Sequence, residues 1–426
     1  MRPTIFITVK ISTFLVAVST SFAYGKPKKV DLMSLLLLIF IGIPINIMSQ
    51  SRQTQLDEAI NMALENNQEL LASRLRVEQS RRQIGEAFDI SPTDIYYNYD
   101  ANNIAANNIP LKVFGIAQSL SFPGVYLSQR KTLKTQTSIQ QMMFEICRQN
   151  LIKSVSQQYI SVVVLLHKLK HYERLDSLYN DFTRAAEISF EVGETNSLEA
   201  LTSRAKVMQI EEVCDQLRED IHEAISQLNA LVQADSAITV PEQDIQPLAF
   251  LEPDLSANSG VMMQAELQQL AINNISVERN RLMPGVSIGY FLGTNDGDQA
   301  KLYPGYQIGL SIPVWFGAQQ ARIQAAKVEG EISKAEAAHY NTSLQARQDQ
   351  LMREIRKFNI AIQNYQYYGK QMAGEISDYA RRAYDNREID FFRYIQSLED
   401  AGNIELNYLE NLDNYNQAVL EYNYLN

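Results

Sequence analysis

The stretch "YPGYQIGLSIPVWFGAQQARIQAAKVEGE", Tyr303 to Glu331, decides the fold because its periodicity changes partway along. Up to Pro313, apolar Tyr306, Ile308, Leu310 and Ile312 alternate with Gln307, Gly309 and Ser311, the period-2 pattern of a strand with two unlike faces. After Gly317 the chain is rich in alanine, glutamine and charge, which favours helix. The event occurs twice. "FGIAQSLSFPGVYLSQRKTLKTQ", from Phe114, also passes from an alternating segment through one proline into helix-forming sequence.

Proline spacing outlines what lies between. Prolines fall at 92, 110 and 123, then at 241, 247, 253, 284, 304 and 313, leaving Gly124 to Val240 and the chain after Pro313 free of them. Each free block exceeds 100 residues and is rich in Gln, Glu, Ala, Leu and Lys. Such blocks read as long helices, because a helix interior tolerates proline least. The expected helices run from about Tyr126 to Glu191 and from about Ala318 to Asp385, each reaching roughly 100 Å at 1.5 Å per residue. Heptad seams run along both: Ile152, Val155, Tyr159, Val162, Leu166 and Leu169 in the first, and Leu351, Ile355, Phe358, Ile362, Tyr365, Gly369, Met372 and Ile376 in the second. Narrow stripes with polar flanks suit a sheet of helices rolled into a tube, wet on both sides.

The halves of the chain repeat one another. Leu120-Ser121-Phe122-Pro123 matches Leu310-Ser311-Ile312-Pro313, and "FEVGETNSLE" from Phe190 matches "YDNREIDFFR" from Tyr384. A near-constant offset over most of the chain marks a tandem duplication. Each copy reads as a helix, two strands joined by a polar loop, a very long helix, a tight turn and a returning helix. The domain boundaries expected are 1–49 for a targeting region, 50–240 for the first repeat, 241–260 for a linker and 261–426 for the second repeat.

The strands are about ten residues long. Ile95, Tyr97 and Tyr99 form the apolar set in the first, Phe114, Ile116, Leu120 and Phe122 in the second, and Val286, Ile288, Tyr290 and Leu292 in the third. Four strands supply no second sheet to cover that face, whereas lipid outside and water inside a membrane barrel would. Four cannot close a barrel either, so the protomer must assemble with copies of itself.

At the N-terminus two apolar runs, Ile5 to Ala23 and Leu32 to Ile47, stand in series, the second preceded by "KPKK" at 26 to 29. That pattern describes a secretory signal peptide, with translation expected to start near Met33. Residues 1 to 49 carry a balance of +4, which leaves −15 on the rest of a chain whose net charge is −11. The acidity argues against nucleic acid as partner.

These residues resemble the TolC-like family of outer-membrane efflux ducts over essentially all of 54 to 425. "TQLDEAINMALENNQELLASRLRVEQSRRQIGEA" resembles the family's opening helix, "LMPGVSIGY" the approach to a strand and "LSIPVWFGAQQARIQAAK" a strand-to-helix joint. The resemblance implies a mainly α fold with a small transmembrane β-barrel: a homotrimer whose twelve strands form the pore and whose antiparallel helices form a periplasmic α-barrel tunnel. It also implies no enzymatic activity and no cofactor. The partners it implies are a periplasmic adaptor, an inner-membrane pump of the resistance-nodulation-division type and outer-membrane lipid. "IPVWFGAQQARIQAAK" is similar to components serving heavy-metal exporters, while neighbouring branches serve drugs and secreted proteins. The competing class is a soluble periplasmic coiled-coil scaffold, which leaves the amphipathic strands unexplained.

The resemblance places adaptor contacts at the hairpin tips, Val192, Gly193, Glu194 and Thr195 in one copy and Arg387, Glu388, Ile389 and Asp390 in the other. It places the periplasmic aperture at Glu199, Arg393 and Gln396. Gly193 keeps the family's turn glycine, but Arg387 replaces it in the second copy, and Arg393 and Gln396 stand where aspartates are usual. Under threefold symmetry Glu199 and Arg393 would then alternate around the mouth. Other candidates carry less. His167 and His171 have the i, i+4 spacing of a metal pair but no third ligand. Asp296 and Asp298 lack the distal Glu of a calcium loop. Cys147 and Cys214 fall at different heights on the hairpin, so no disulfide is expected.

Overall fold

The computed structural model describes residues 52–104, 109–193, 196–234, 236–250, 258–295 and 300–425. The targeting region 1–49, Glu194, Thr195, Asp296, Asp298 and the side chain of Glu199 lie outside the described residues.

In chain order the first repeat consists of β1 (Arg52–Gln53), α1 (Leu56–Asn66), α2 (Gln68–Gln83), β2 (Asp94–Ile104), β3 (Pro110–Leu120), α3 (Pro123–Glu191) and α4 (Ser197–Val232). After β4 (Ile238–Thr239), the second repeat consists of α5 (Ser259–Asn280), β5 (Gly285–Thr294), β6 (Leu302–Ser311), α6 (Gly317–Asn364), α7 (Lys370–Asp385) and α8 (Phe391–Asn423). The opening segment is two helices rather than the expected one. Asn67, extended at ψ 120°, breaks it; its Oδ1 accepts from the Glu69 and Leu70 N–H groups at 3.0 Å while its Nδ2 donates to Leu231 O at 3.0 Å. The side chain thus caps α2 and ties it to the end of α4.

The strands form one antiparallel sheet in the order β2-β3-β5-β6, so the strand pairs of the two repeats lie side by side and β2 and β6 are its edges. Register places the apolar residues in rows: Ile95, Ile116, Tyr290 and Tyr306 in one, Tyr97, Phe114 and Leu292 in the next, Ile288 with Ile308 and Val286 with Leu310 below. The opposite face is not purely small and polar. Tyr96 lies over Gly115 and Phe291 over Gly305, so close that a Cβ at either glycine would meet the ring at 2.3 Å. Glycine is needed there to admit an aromatic ring.

Pro123 is the first residue of α3, and 69 residues follow one another without a break. Its seam is buried as expected at Val155, Tyr159 and Val162, which join Ala59, Leu70 and Leu228 in a core near mid-length. The second long helix differs from the expectation. A π-turn over Tyr365–Gly369 separates α6 from α7. Leu351, Ile355 and Ile362 above it are buried, but below it Met372 is 50% exposed and Ala380 is the buried residue. A π-turn adds a residue to the helical repeat, which moves the inward stripe along by one. Tyr365 and Tyr408 stack across it at 4.0 Å and 14°.

Residues 241–250 of the linker pass over the helices as a strap. Asn416, fully buried, accepts from Leu248 N–H at 2.8 Å and donates to Gln246 O at 3.2 Å, and His167 Nε2 bonds Gln243 O at 2.8 Å. Side-chain amides thus satisfy a backbone that has no ladder of its own.

Candidate functional site

Two surfaces carry the functional argument: the apolar face of the sheet and the hairpin tips. On the sheet, Ile95, Tyr97, Tyr99, Phe114, Ile116, Ile288, Tyr290, Ile308 and Leu310 are exposed, and Tyr306 reaches 82%. Gln118 interrupts this face at the base of β3. Its amide is satisfied locally, donating to Ser91 O at 2.7 Å and accepting from Thr93 Oγ1 at 2.6 Å. Among the described residues no helix is long and apolar enough to cross a membrane, a finding that does not bear on strands.

At the first tip Val192 N–H reaches back to Ile188 O at 3.1 Å and Gly193, φ 79°, bonds Phe190 O at 3.0 Å. At the second tip Arg387 takes the matching left-handed conformation, φ 60°. Arg387 N–H bonds Tyr384 O at 2.9 Å and Glu388 N–H bonds Ala383 O at 2.8 Å, the paired bonds of a Schellman turn. The repeat alignment therefore locates both turns. Asp390 proves to be the N-cap of α8, accepting from Arg393 N–H at 2.8 Å, so its carboxylate is engaged by the backbone. The side chains of Arg393 and Gln396 are exposed on the same helix, and Ile389 is half-buried.

Sequence reasoning missed what holds the second tip. Phe391, buried, stacks on Phe182 and meets Tyr179 edge-on at 6.4 Å and 82°, while Tyr384 and Tyr394 stack at 4.8 Å. Beside this layer Tyr179 donates its hydroxyl to Glu399 at 2.5 Å and Lys206 approaches the same carboxylate oxygen at 3.3 Å. Burial, then Glu399, raises the Tyr179 phenol far above its usual range, so it is a fixed donor. The available signal was the i, i+3 aromatic pairs Tyr179/Phe182 and Phe391/Tyr394, which put two rings on each facing helix.

His167 and His171 do not converge: His167 takes the linker carbonyl, whereas His171 Nδ1 lies 3.5 Å from Glu405 of α8. Among the described residues no cluster of three or more His, Cys, Asp or Glu could hold a metal ion. Both cysteines are free thiols, Cys214 buried and Cys147 half-buried.

No protein-family model matches the sequence and no curated protein matches it. Solved structures do. The chain is similar to a membrane protein from Pseudomonas aeruginosa at 15% identity, covering 87% of this chain and 91% of that one with a TM-score of 0.73. It is similar to the Campylobacter jejuni CmeC outer membrane channel at 14% identity, 86% and 84% coverage and a TM-score of 0.71. For the open state of the Neisseria gonorrhoeae MtrE outer membrane channel the figures are 13%, 87%, 88% and 0.70. The chain therefore has the protomer fold of the TolC-like outer-membrane channels, the fold its sequence resemblance implies.

Proposed function

We propose that this chain is the outer-membrane duct of a tripartite efflux system, a homotrimer that extends into the periplasm and works with an adaptor and an inner-membrane pump. The observation that carries this reading is the sheet: an exposed apolar, aromatic face on which no described residue packs, bounded by the edge strands β2 and β6. An exposed edge and an uncovered apolar face are liabilities in water. Edge pairing between copies around a symmetry axis removes the first and lipid removes the second. Three protomers give twelve strands, and the helices below become a tunnel through which cargo crosses without meeting lipid. The pump is of the resistance-nodulation-division type, and the cargo is a heavy metal or a drug. The units are the repeats at 50–240 and 261–426 with the linker at 241–260 between them.

The tips are the adaptor contacts. Val192 at 65% and Leu198 at 70% exposure, with exposed Ile188 and Leu201, give the first tip an apolar surface, and the second offers Arg387, Glu388, Ile389 and Asp390. Glu194 and Thr195 are assigned to the first tip's contacts from their place in the sequence. Glu199, Arg393 and Gln396 belong to the aperture, where alternating carboxylates and guanidiniums pair at about 0.2–1 kcal/mol each. Extraction is the decisive test: a chain released from envelopes without detergent is the soluble scaffold instead. In a planar bilayer Arg393→Glu should raise leak conductance, and the swap Glu199→Arg with Arg393→Glu should lower it again; an unchanged leak removes the charge-paired mouth.

A further inference from the structure

We propose that the joint between β6 and α6 is a foot that seats in the headgroup layer of the membrane, with Trp315 as its anchor. This rests on reading the sheet as a membrane-spanning wall, and its evidence is a difference between the two joints. Pro123 itself opens α3, and there the chain folds back on itself. The Tyr126 hydroxyl accepts from Ser121 N–H at 2.9 Å and its ring stacks on Phe88 at 6.3 Å. In the second repeat α6 opens only at Gly317, four residues beyond Pro313. Those extra residues, with Ile312 before them, put Ile312, Val314, Trp315 and Phe316 on the surface, Trp315 at 92%.

The exposure is built in, because both ends of the loop are fixed. Ser311 pairs with Gly285, and Phe316 O accepts from Gln320 N–H at 2.8 Å. Gln319, buried in the first turn of α6, donates to the Glu278 carbonyl at 2.8 Å and to its carboxylate at 2.7 Å. A contiguous apolar patch held out on a rigid loop is an interaction surface. Its position selects the occupant. The ten residues of β6, at about 3.3 Å each and a tilt of about 40°, rise about 25 Å, the height of the apolar band of an outer-membrane barrel. The band therefore ends where the strand ends, at this joint. Tryptophan suits that level because its body is apolar and its indole N–H is polar. The apolar series Tyr306, Ile308, Leu310 and Ile312 runs without a break into the loop, so one medium covers both. The foot fixes the depth of the duct.

Trp315 is the only tryptophan of the chain, so its emission reports the loop alone. The full chain is reconstituted in phosphatidylethanolamine–phosphatidylglycerol vesicles carrying a nitroxide either near the headgroup or near the acyl terminus. A second reporter, Trp315→Phe with Tyr306→Trp, places the probe in mid-sheet, and Ile308→Trp replaces it if that variant fails to assemble. Trp315 should be quenched more by the shallow nitroxide than by the deep one, and the mid-sheet probe more by the deep one. Trp315 quenched by aqueous iodide but by neither nitroxide overturns the foot, and so does Trp315 shielded from all three, which means a neighbouring copy covers it. In both cases a quenched mid-sheet probe leaves the membrane wall standing. Loss of lipid quenching at both positions overturns the wall itself.

Discussion

At the first tip the left-handed residue is Gly193 with open space around its α-carbon, and at the second it is Arg387, locked in a Schellman turn beside a layer of aromatic rings. Both chains reverse in the same conformation, yet the causes differ. Glycine adopts positive φ freely, so the first turn is specified by its own residue. For arginine that conformation costs about 1–2 kcal/mol, and only outside support makes it stable. Phe391 packed against Tyr179 and Phe182, with Asp390 capping α8, supplies that support. Among the described residues the first tip exposes Ile188, Val192, Leu198 and Leu201, while the second is fastened by this aromatic layer.

This contrast is breakable. The largest effect is expected from Phe391→Ala, which removes the ring at the centre of the layer and should cost about 3–5 kcal/mol. Thermal denaturation would show it, and hydrogen exchange should rise around Arg387 while staying near the parent at Gly193. Gly193→Val strains a turn held at φ 79° and should cost about 1–3 kcal/mol, read as faster exchange of the Val192 and Gly193 amides. If it also leaves export and adaptor cross-linking intact, the docking assignment at that tip is wrong. Asp390→Ala removes a cap worth about 1 kcal/mol, visible as lost protection of the Arg393 amide.

Arg387→Gly should run the other way. It relieves the left-handed strain but loosens the unfolded chain, so a gain below about 1 kcal/mol is expected, and a loss would mean that the guanidinium itself holds the tip. The smallest effect concerns acid. The His171 imidazole, 3.5 Å away, holds Glu405 below the ordinary carboxylate range. A depressed folded value contributes stability above the unfolded pKa, about 4.3, and loses it as pH falls through the folded one. Glu405→Gln should therefore flatten the acid limb of the stability curve, and an unchanged limb would show that this contact between α3 and α8 carries no weight.

The strands, the proline joints and both turns were legible because each rests on local chemistry: alternation, missing N–H groups and one glycine. Aligning Gly193 with Arg387 even located a positive φ on a residue that does not ask for one. Tertiary features were not legible. That Asp390 is also a backbone cap was not legible, since capping geometry depends on where α8 begins. Asn67 broke a helix that composition alone continues. The brace of Tyr179, Glu399 and Lys206 joins residues about 200 apart in sequence, where no spacing rule applies.

The π-turn at Tyr365–Gly369 has a consequence for insertions and deletions. Each residue of an α-helix turns the chain by about 100°, so the extra residue sets α7 one step out of phase with α6. Deleting one residue from Tyr365–Gly369 would close the bulge and leave a continuous helix, whereas the same deletion in α3 would have no slack to absorb it. That closure needs no rotation: the residues after the deletion keep the phase the bulge already gives them, so Met372 stays outside the seam and Ala380 stays in it. The second hairpin thus holds a spare residue whose removal would leave its inward face as it is.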